Sequence, residues 1–125
     1  LDNHTSYALT VAAVSALHAA GDYDAPEIRR GLDCARRTIR KRPGEPFKAS
    51  RKEFFFYTNL YAAQAFYQAG GDLWATWYPS ARRQLLLLQD PRGSWSDDDY
   101  GDEFATACAL LILSVPVNYL PMFQR

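Results

Sequence analysis

Net charge is the first thing this chain lacks: 14 lysines and arginines balance 14 aspartates and glutamates across 125 residues. A neutral chain has no whole-molecule attraction for a polyanion, so no nucleic-acid partner is expected, although a local basic patch survives that argument. Long hydrophobic runs are also missing. Leu85–Leu88 falls far short of the ~20 apolar residues that cross a bilayer, and no membrane span is expected. Cysteine is scarce, with Cys34 and Cys108 allowing one disulfide at most. A chain of this size needs none to fold, and both are expected as buried free thiols. There is no initiating methionine and no signal-like segment, so the chain reads as an excised domain or a processed product. No feature of the composition assigns a compartment.

What is present suits one globular domain over residues 1–125, burying roughly two-thirds of the surface that the unfolded chain exposes. The patterning is helical throughout: alanine and leucine are abundant, valine, isoleucine and threonine sparse, and no segment alternates as a half-buried strand does. A first helix is expected from Thr5 to Ala20, stopped at Gly21. Asp24-Ala25-Pro26-Glu27 announces a second, with Asp24 as cap and Pro26 in the first turn. Its apolar stripe is Ile28, Leu32, Ala35 and Ile39, and arginines hold the other side. The Pro/Gly-rich stretch Arg42 to Lys52 separates this pair, over 5–41, from a second pair over 54–88. The third helix, Phe54 to Ala69, is apolar or aromatic on nearly every side and should be buried. The fourth, Leu73 to Leu88, is expected to kink or restart at Pro79. A final helix over 102–115, capped by Asp102 or its neighbours, ends near Pro116, and Pro121 limits the tail to short turns. The fold class is therefore all-α, about five helices in antiparallel hairpins.

Buried and amphipathic helices alternate along this order, which suggests a repeat. Ala16-Leu17-His18-Ala19-Ala20-Gly21 matches Ala65-Phe66-Tyr67-Gln68-Ala69-Gly70, 49 positions on, and Leu32 matches Leu85 in the helices that follow. Two helix pairs of this length plus half of a third read as a helical-hairpin array.

Between the fourth and fifth helices lies Gln89-Asp90-Pro91-Arg92-Gly93-Ser94-Trp95. A side-chain amide at a helix end can satisfy free backbone groups there, Gly93 lets the chain pass close, and an indole can cover the junction while its N–H finds an acceptor. The string resembles the QW motif of the squalene/hopene cyclase and protein prenyltransferase superfamily. Tyr100-Gly101 with Phe104-Ala105-Thr106-Ala107, and the ending Tyr119 to Arg125, are similar to that family's continuation and to the C-termini of bacterial proteins carrying its repeats. The resemblance implies an α/α toroid, of which this chain is a C-terminal part, and a structural role for Gln89 and Trp95 between neighbouring helix pairs.

The family's chemistry has recognisable residues, and they are not found here. Protonating cyclases carry a D-x-D-D acid motif, whereas the nearest string, Ser94 to Tyr100, holds Asp97-Asp98-Asp99 without the leading aspartate. Those three acids suit a solvated loop at a helix N-terminus and are a candidate for weak Ca²⁺ binding. Prenyltransferases hold zinc by Asp, Cys and His, and the corresponding turn, Glu103 to Cys108, has no histidine. Neither cysteine sits in a thioester-forming Cys-Glu-Gln string. No catalytic residue, metal site or cofactor is assigned.

Two further clusters stand out. Ten of the 14 positive charges lie between Arg29 and Lys52 against only Asp33 and Glu45; Arg29, Arg36, Arg37 and Arg40 are the candidate patch for an anion or an acidic partner, or else a solvated helix face. Ten of the 18 aromatic residues lie between Phe54 and Tyr78. Phe55, Tyr57, Tyr61, Phe66, Trp74 and Trp77 could line a cavity for an isoprenoid or other apolar molecule, or pack as core. Because a full toroid needs more helices, buried helices such as the third should show apolar faces at the ends of the fragment, so a homodimer or contact with the rest of a parent protein is expected. Two functions follow: a non-catalytic repeat scaffold, or the apolar-ligand part of a terpenoid-cyclase-like enzyme whose acid lies outside this chain.

Overall fold

Ser6 opens the first helix by accepting the Leu9 amide on its hydroxyl, at 3.4 Å, a side-chain cap that frees the helix from starting on an unpaired donor. In the computed structural model, which describes residues 6–41 and 54–117, α1 then runs Tyr7–Ala19, α2 Pro26–Lys41, α3 Phe55–Ala69, α4 Gly71–Leu88 and α5 Asp102–Ser114, followed by one turn of 3-10 helix at Val115–Val117. Among the described residues all regular structure is helical. The expected linker at 42–52, the start of the first helix at Thr5 and the tail after Val117 lie outside the described residues.

Several boundaries differ from the sequence reading for local reasons. Helix α2 begins at Pro26, one residue later than a cap at Asp24 implies, which leaves Ala25 at the capping position. Asp22 organises the turn instead, accepting the amides of Asp24 and Ala25. Phe54 precedes α3 rather than starting it, in a left-handed conformation with φ 63°. Gly70 and Gly71, both at positive φ, let α4 begin at Gly71, two residues earlier than expected. Helix α4 does not restart at Pro79. The carbonyl that loses its partner is that of Ala75; Ala75 and Pro79 are both exposed, so water can satisfy it. At α5 the capping position is Gly101, at φ 88°, and Asp102 is the first helical residue. Asp102 and Glu103 lie in the first turn, where the helix dipole favours negative charge.

Helix α3 is the hub: it packs against α1 on one side, α5 on the other and α4 behind, while α2 packs on α1. Thus α1, α3 and α5 form one row, with α2 and α4 as a second layer. The core follows this plan, with Val11 and Val14 of α1, Ala62, Ala63 and Phe66 of α3, Trp77 and Leu85 of α4, and Ala109 and Ile112 of α5 buried. Ser15 Oγ donates to Gln64 Oε1 at 2.8 Å across α1 and α3. These two residues are 49 positions apart, the offset of the sequence repeat, so matching positions of the two helices meet.

Candidate functional site

The α4–α5 junction carries the motif residues. The Trp95 indole N–H donates to the Leu85 carbonyl at 2.8 Å, deep in the core, closing the last turn of α4. Its backbone N–H donates to Thr106 Oγ1 at 3.0 Å, and that hydroxyl donates back to the Trp95 carbonyl. Gln89 Nε2 donates to the Gly93 carbonyl at 2.9 Å, and Gly93, at φ 94°, adopts a conformation that a side chain disfavours. Asp90, which the sequence reading passed over, does most of the local work. Its carboxylate accepts the Arg92 and Ser94 amides and the Ser94 hydroxyl. The hydrogen bond from Ser94 and these amides hold it below the usual carboxylate range. An Asp-x-x-Gly-Ser turn signal was its only trace in the sequence.

Downstream, Asp97 Oδ1 accepts the amides of Asp99 and Tyr100. Among the described residues no three His, Cys, Asp or Glu side chains, Asp97, Asp98 and Asp99 included, are grouped as they would be to hold a metal ion. Tyr100 and Gly101 complete the turn, Gly101 donating its N–H to the Asp97 carbonyl.

The six candidate aromatics divide, with Phe66, Trp74 and Trp77 together and Tyr57 and Tyr61 together. Phe66 and Trp77 meet edge-on at 5.3 Å, fully buried, and Trp74 stacks on Tyr78 at 4.5 Å and meets Tyr67 at 5.2 Å, all in the α3–α4 core. Phe55 lies edge-on to Phe56. Tyr57 and Tyr61 face outward on α3, 4.6 Å apart, and a hydrogen bond with Tyr57 raises the Tyr61 phenol above its ordinary value. Phe54 joins this outer group to the loop before α5, meeting Tyr57 at 6.2 Å and Tyr100 at 5.8 Å, and Tyr100 meets Phe104 at 5.2 Å.

The arginine patch also divides. Arg36 pairs with Asp33 at 2.9 Å and with Asp72 at 3.3 Å, tying α2 to the first turn of α4. Arg29, Arg37 and Arg40 remain on the exposed face of α2. Cys34 is half-buried, not buried, because its side of α2 borders an open groove; Cys108 is buried, and burial raises its thiol pKa. A protonated thiol in the core is a poor nucleophile. Burial likewise lowers the pKa of His18, whose ring stacks on Tyr23 at 5.8 Å.

Exposed apolar side chains also lie at Leu86, Leu87 and Leu88 in the last turn of α4 and at the two ends of the row. On α1 the exposed side chains are Leu9, Ala13, Ala16 and Ala19, with Ser6 and Ala20 at its caps; on α5 they are Asp102, Glu103, Ala107 and Leu110, with Pro116 and Val117 just beyond. Leu9 is 73% exposed and Leu110 52%. Both stripes recur at three- and four-residue spacing, so each is one helix face. These faces add to the outward aromatic side of α3 at Tyr57 and Tyr61, the rest of α3 being covered by its neighbours. No helix among the described residues is long and apolar enough to cross a membrane. No protein-family model, curated protein or solved structure matches this chain.

Proposed function

We propose that this chain is a non-catalytic helical-repeat module, a stretch of α/α toroid related to the squalene cyclase and prenyltransferase repeats, which assembles with a protein partner through the open ends of its inner row. The observation that carries the reading is the pair of exposed faces on α1, where no exposed side chain is charged, and on α5 beyond its acidic first turn, at Ala107 and Leu110, each ending a row whose middle helix has neighbours on both sides. Contiguous apolar patches of this kind drive association. The in-step contact of Ser15 with Gln64 and the Trp95 closure of α4 support the repeat. A second copy is the partner that can be tested first. Sedimentation velocity at micromolar concentration should give a dimer or larger species, and Leu110→Glu, placing a charge in the α5 stripe, should shift it to monomer. A wild-type protein that stays monomeric would end the self-assembly form of this reading.

The outer aromatic group of Phe54, Tyr57, Tyr61, Tyr100 and Phe104 favours a second reading, in which the same row offers aromatic faces to an isoprenoid or lipid of a terpenoid-cyclase-like enzyme. A native mass spectrum separates the two: a dimer mass without added density supports assembly. An added mass lost on organic extraction supports the ligand.

A further inference from the structure

Helices α1 and α2 do not close on one another along their whole length. Between them lies a groove of about 370 Å³ lined by Thr10, Ala13, Val14 and Leu17 of α1 and by Glu27, Arg30, Gly31, Cys34 and Arg37 of α2. Its volume is in the range of small-molecule sites. The floor is apolar, and Gly31 makes it possible: a Cβ there would stand 2.6 Å from Val14 Cγ2. The rim is cationic. Arg30 and Arg37 are seven residues apart, two turns along one face of α2, and both are exposed. Among the described residues neither makes an ion pair, in contrast to Arg36 on the adjoining face. Glu27 stands in the first turn of α2 and repels an anion at that end, which favours a head group held between Arg30 and Arg37, on the Cys34 side.

We propose that this groove binds a small single-chain amphiphilic anion, with the alkyl or aryl part on Val14, Leu17 and Ala13 and the carboxylate, sulfate or phosphate head on Arg30 and Arg37. The chemistry is complementary at both ends: apolar atoms leave water on the groove floor, and planar guanidinium groups pair bidentately with tetrahedral or carboxylate anions. This site is separate from the outer aromatic group; it shares Ala13 with the exposed face of α1 but needs no assembly to form.

Cys34 supplies the test because its half-buried thiol lies in the groove, while buried Cys108 serves as an internal control. The full chain is alkylated with N-ethylmaleimide at fixed protein concentration, alone and with octyl sulfate or 1-octanol well below any micelle concentration. Occupied sites cannot react, so octyl sulfate should slow Cys34 modification about tenfold at about ten times its Kd. Octanol should protect far less, and Arg30→Gln with Arg37→Gln should abolish the difference between the two probes without changing Tm, since both side chains are exposed. Absence of protection by octyl sulfate would overturn the proposal, as would equal protection by octanol or protection that survives the double substitution. Methyl NMR shifts of Val14 and Leu17 on adding octyl sulfate give a second readout; shifts confined to α3 or α5 would also overturn it.

Discussion

The two helical hairpins pack by different means. In α3–α4 the interface is filled with rings: Phe66 on Trp77, Tyr67 on Trp74, and Trp74 stacked on Tyr78, whose hydroxyl donates to the Leu113 carbonyl near the end of α5. In α1–α2 the helices approach through Gly31 and Val14, and a groove stays open beside the contact. Hairpins at matching positions in the chain thus reach a packed state by large volume in one case and by close backbone approach in the other. The central hairpin, which α3 joins to both neighbours, is the more deeply buried; the outer one keeps accessible surface.

The largest test of that contrast is Trp77→Ala. Removing a fully buried indole from the ring cluster leaves a cavity that α3 and α4 cannot collapse, and core truncations of this kind cost about 3–5 kcal/mol. Urea denaturation should show the loss as a lower midpoint at constant slope. A loss under about 1 kcal/mol would mean that the rings of the second hairpin pack no more tightly than the open groove of the first.

Trp95→Phe comes next, at the edge of the same hairpin. It keeps most of the apolar volume and removes the N–H that serves the Leu85 carbonyl. That carbonyl also accepts the Gln89 amide at 3.1 Å, so it is not left bare, and the expected cost is about 1–2 kcal/mol. Exchange of the Gln89 amide should speed up as the last turn of α4 loosens.

How much of this was legible beforehand follows from range. Helix positions came from capping residues, glycine stops and apolar spacing, all local, and five helices stand where those signals put them. Pro79 does not restart α4: an interior proline removes one hydrogen bond and crowds the preceding turn, and the exposure of Ala75, which lets water serve the freed carbonyl, is a tertiary fact. The indole of Trp95 was expected to cover a junction; that its acceptor is Leu85 could not be read. Thr58 and Asn59 are fully buried on α3, and Asn59 donates to the Phe55 carbonyl within its own helix, which an aromatic-rich sequence gave no reason to expect. The aromatic cluster shows the same limit: clustering in sequence set ten aromatics close together, and helix geometry sends Phe66 and Trp77 inward and Tyr57 outward.

Gly31→Ala tests the first hairpin through its sign. In the interior of a helix this change should stabilise by about 1 kcal/mol through backbone propensity. Against that stands overpacking: the new methyl meets Val14 Cγ2, and the β-branched, 3%-exposed Val14 has little rotameric room. Overpacking costs about 1–3 kcal/mol, so net destabilisation of about 1 kcal/mol is expected. Adding Val14→Ala should recover part of it by removing the clash. If Gly31→Ala alone raises the denaturation midpoint, α1 and α2 are not in close contact and the distinction between the hairpins fails.

The smallest effect concerns pH and sits where the first hairpin turns. His18, near the end of α1, is 7% exposed, and its Nδ1 has no hydrogen-bond partner. Burial holds the folded imidazole below its ordinary range, while the unfolded chain takes up the proton near pH ~6.5. Over the interval between those two values the unfolded state binds more protons, so stability falls as pH falls. The contribution of the neutral ring is therefore complete above pH ~6.5 and is lost below it, before most carboxylates titrate. The helix C-terminus works against this trend by favouring a cation there, which is why the effect should be modest. Replacing His18 with Gln removes the titration and should flatten the fall in Tm between pH 7 and 5 relative to wild type. Parallel profiles for the two proteins would show that the ring at this turn is solvated in the folded state, leaving the first hairpin open at its end as well as along its groove.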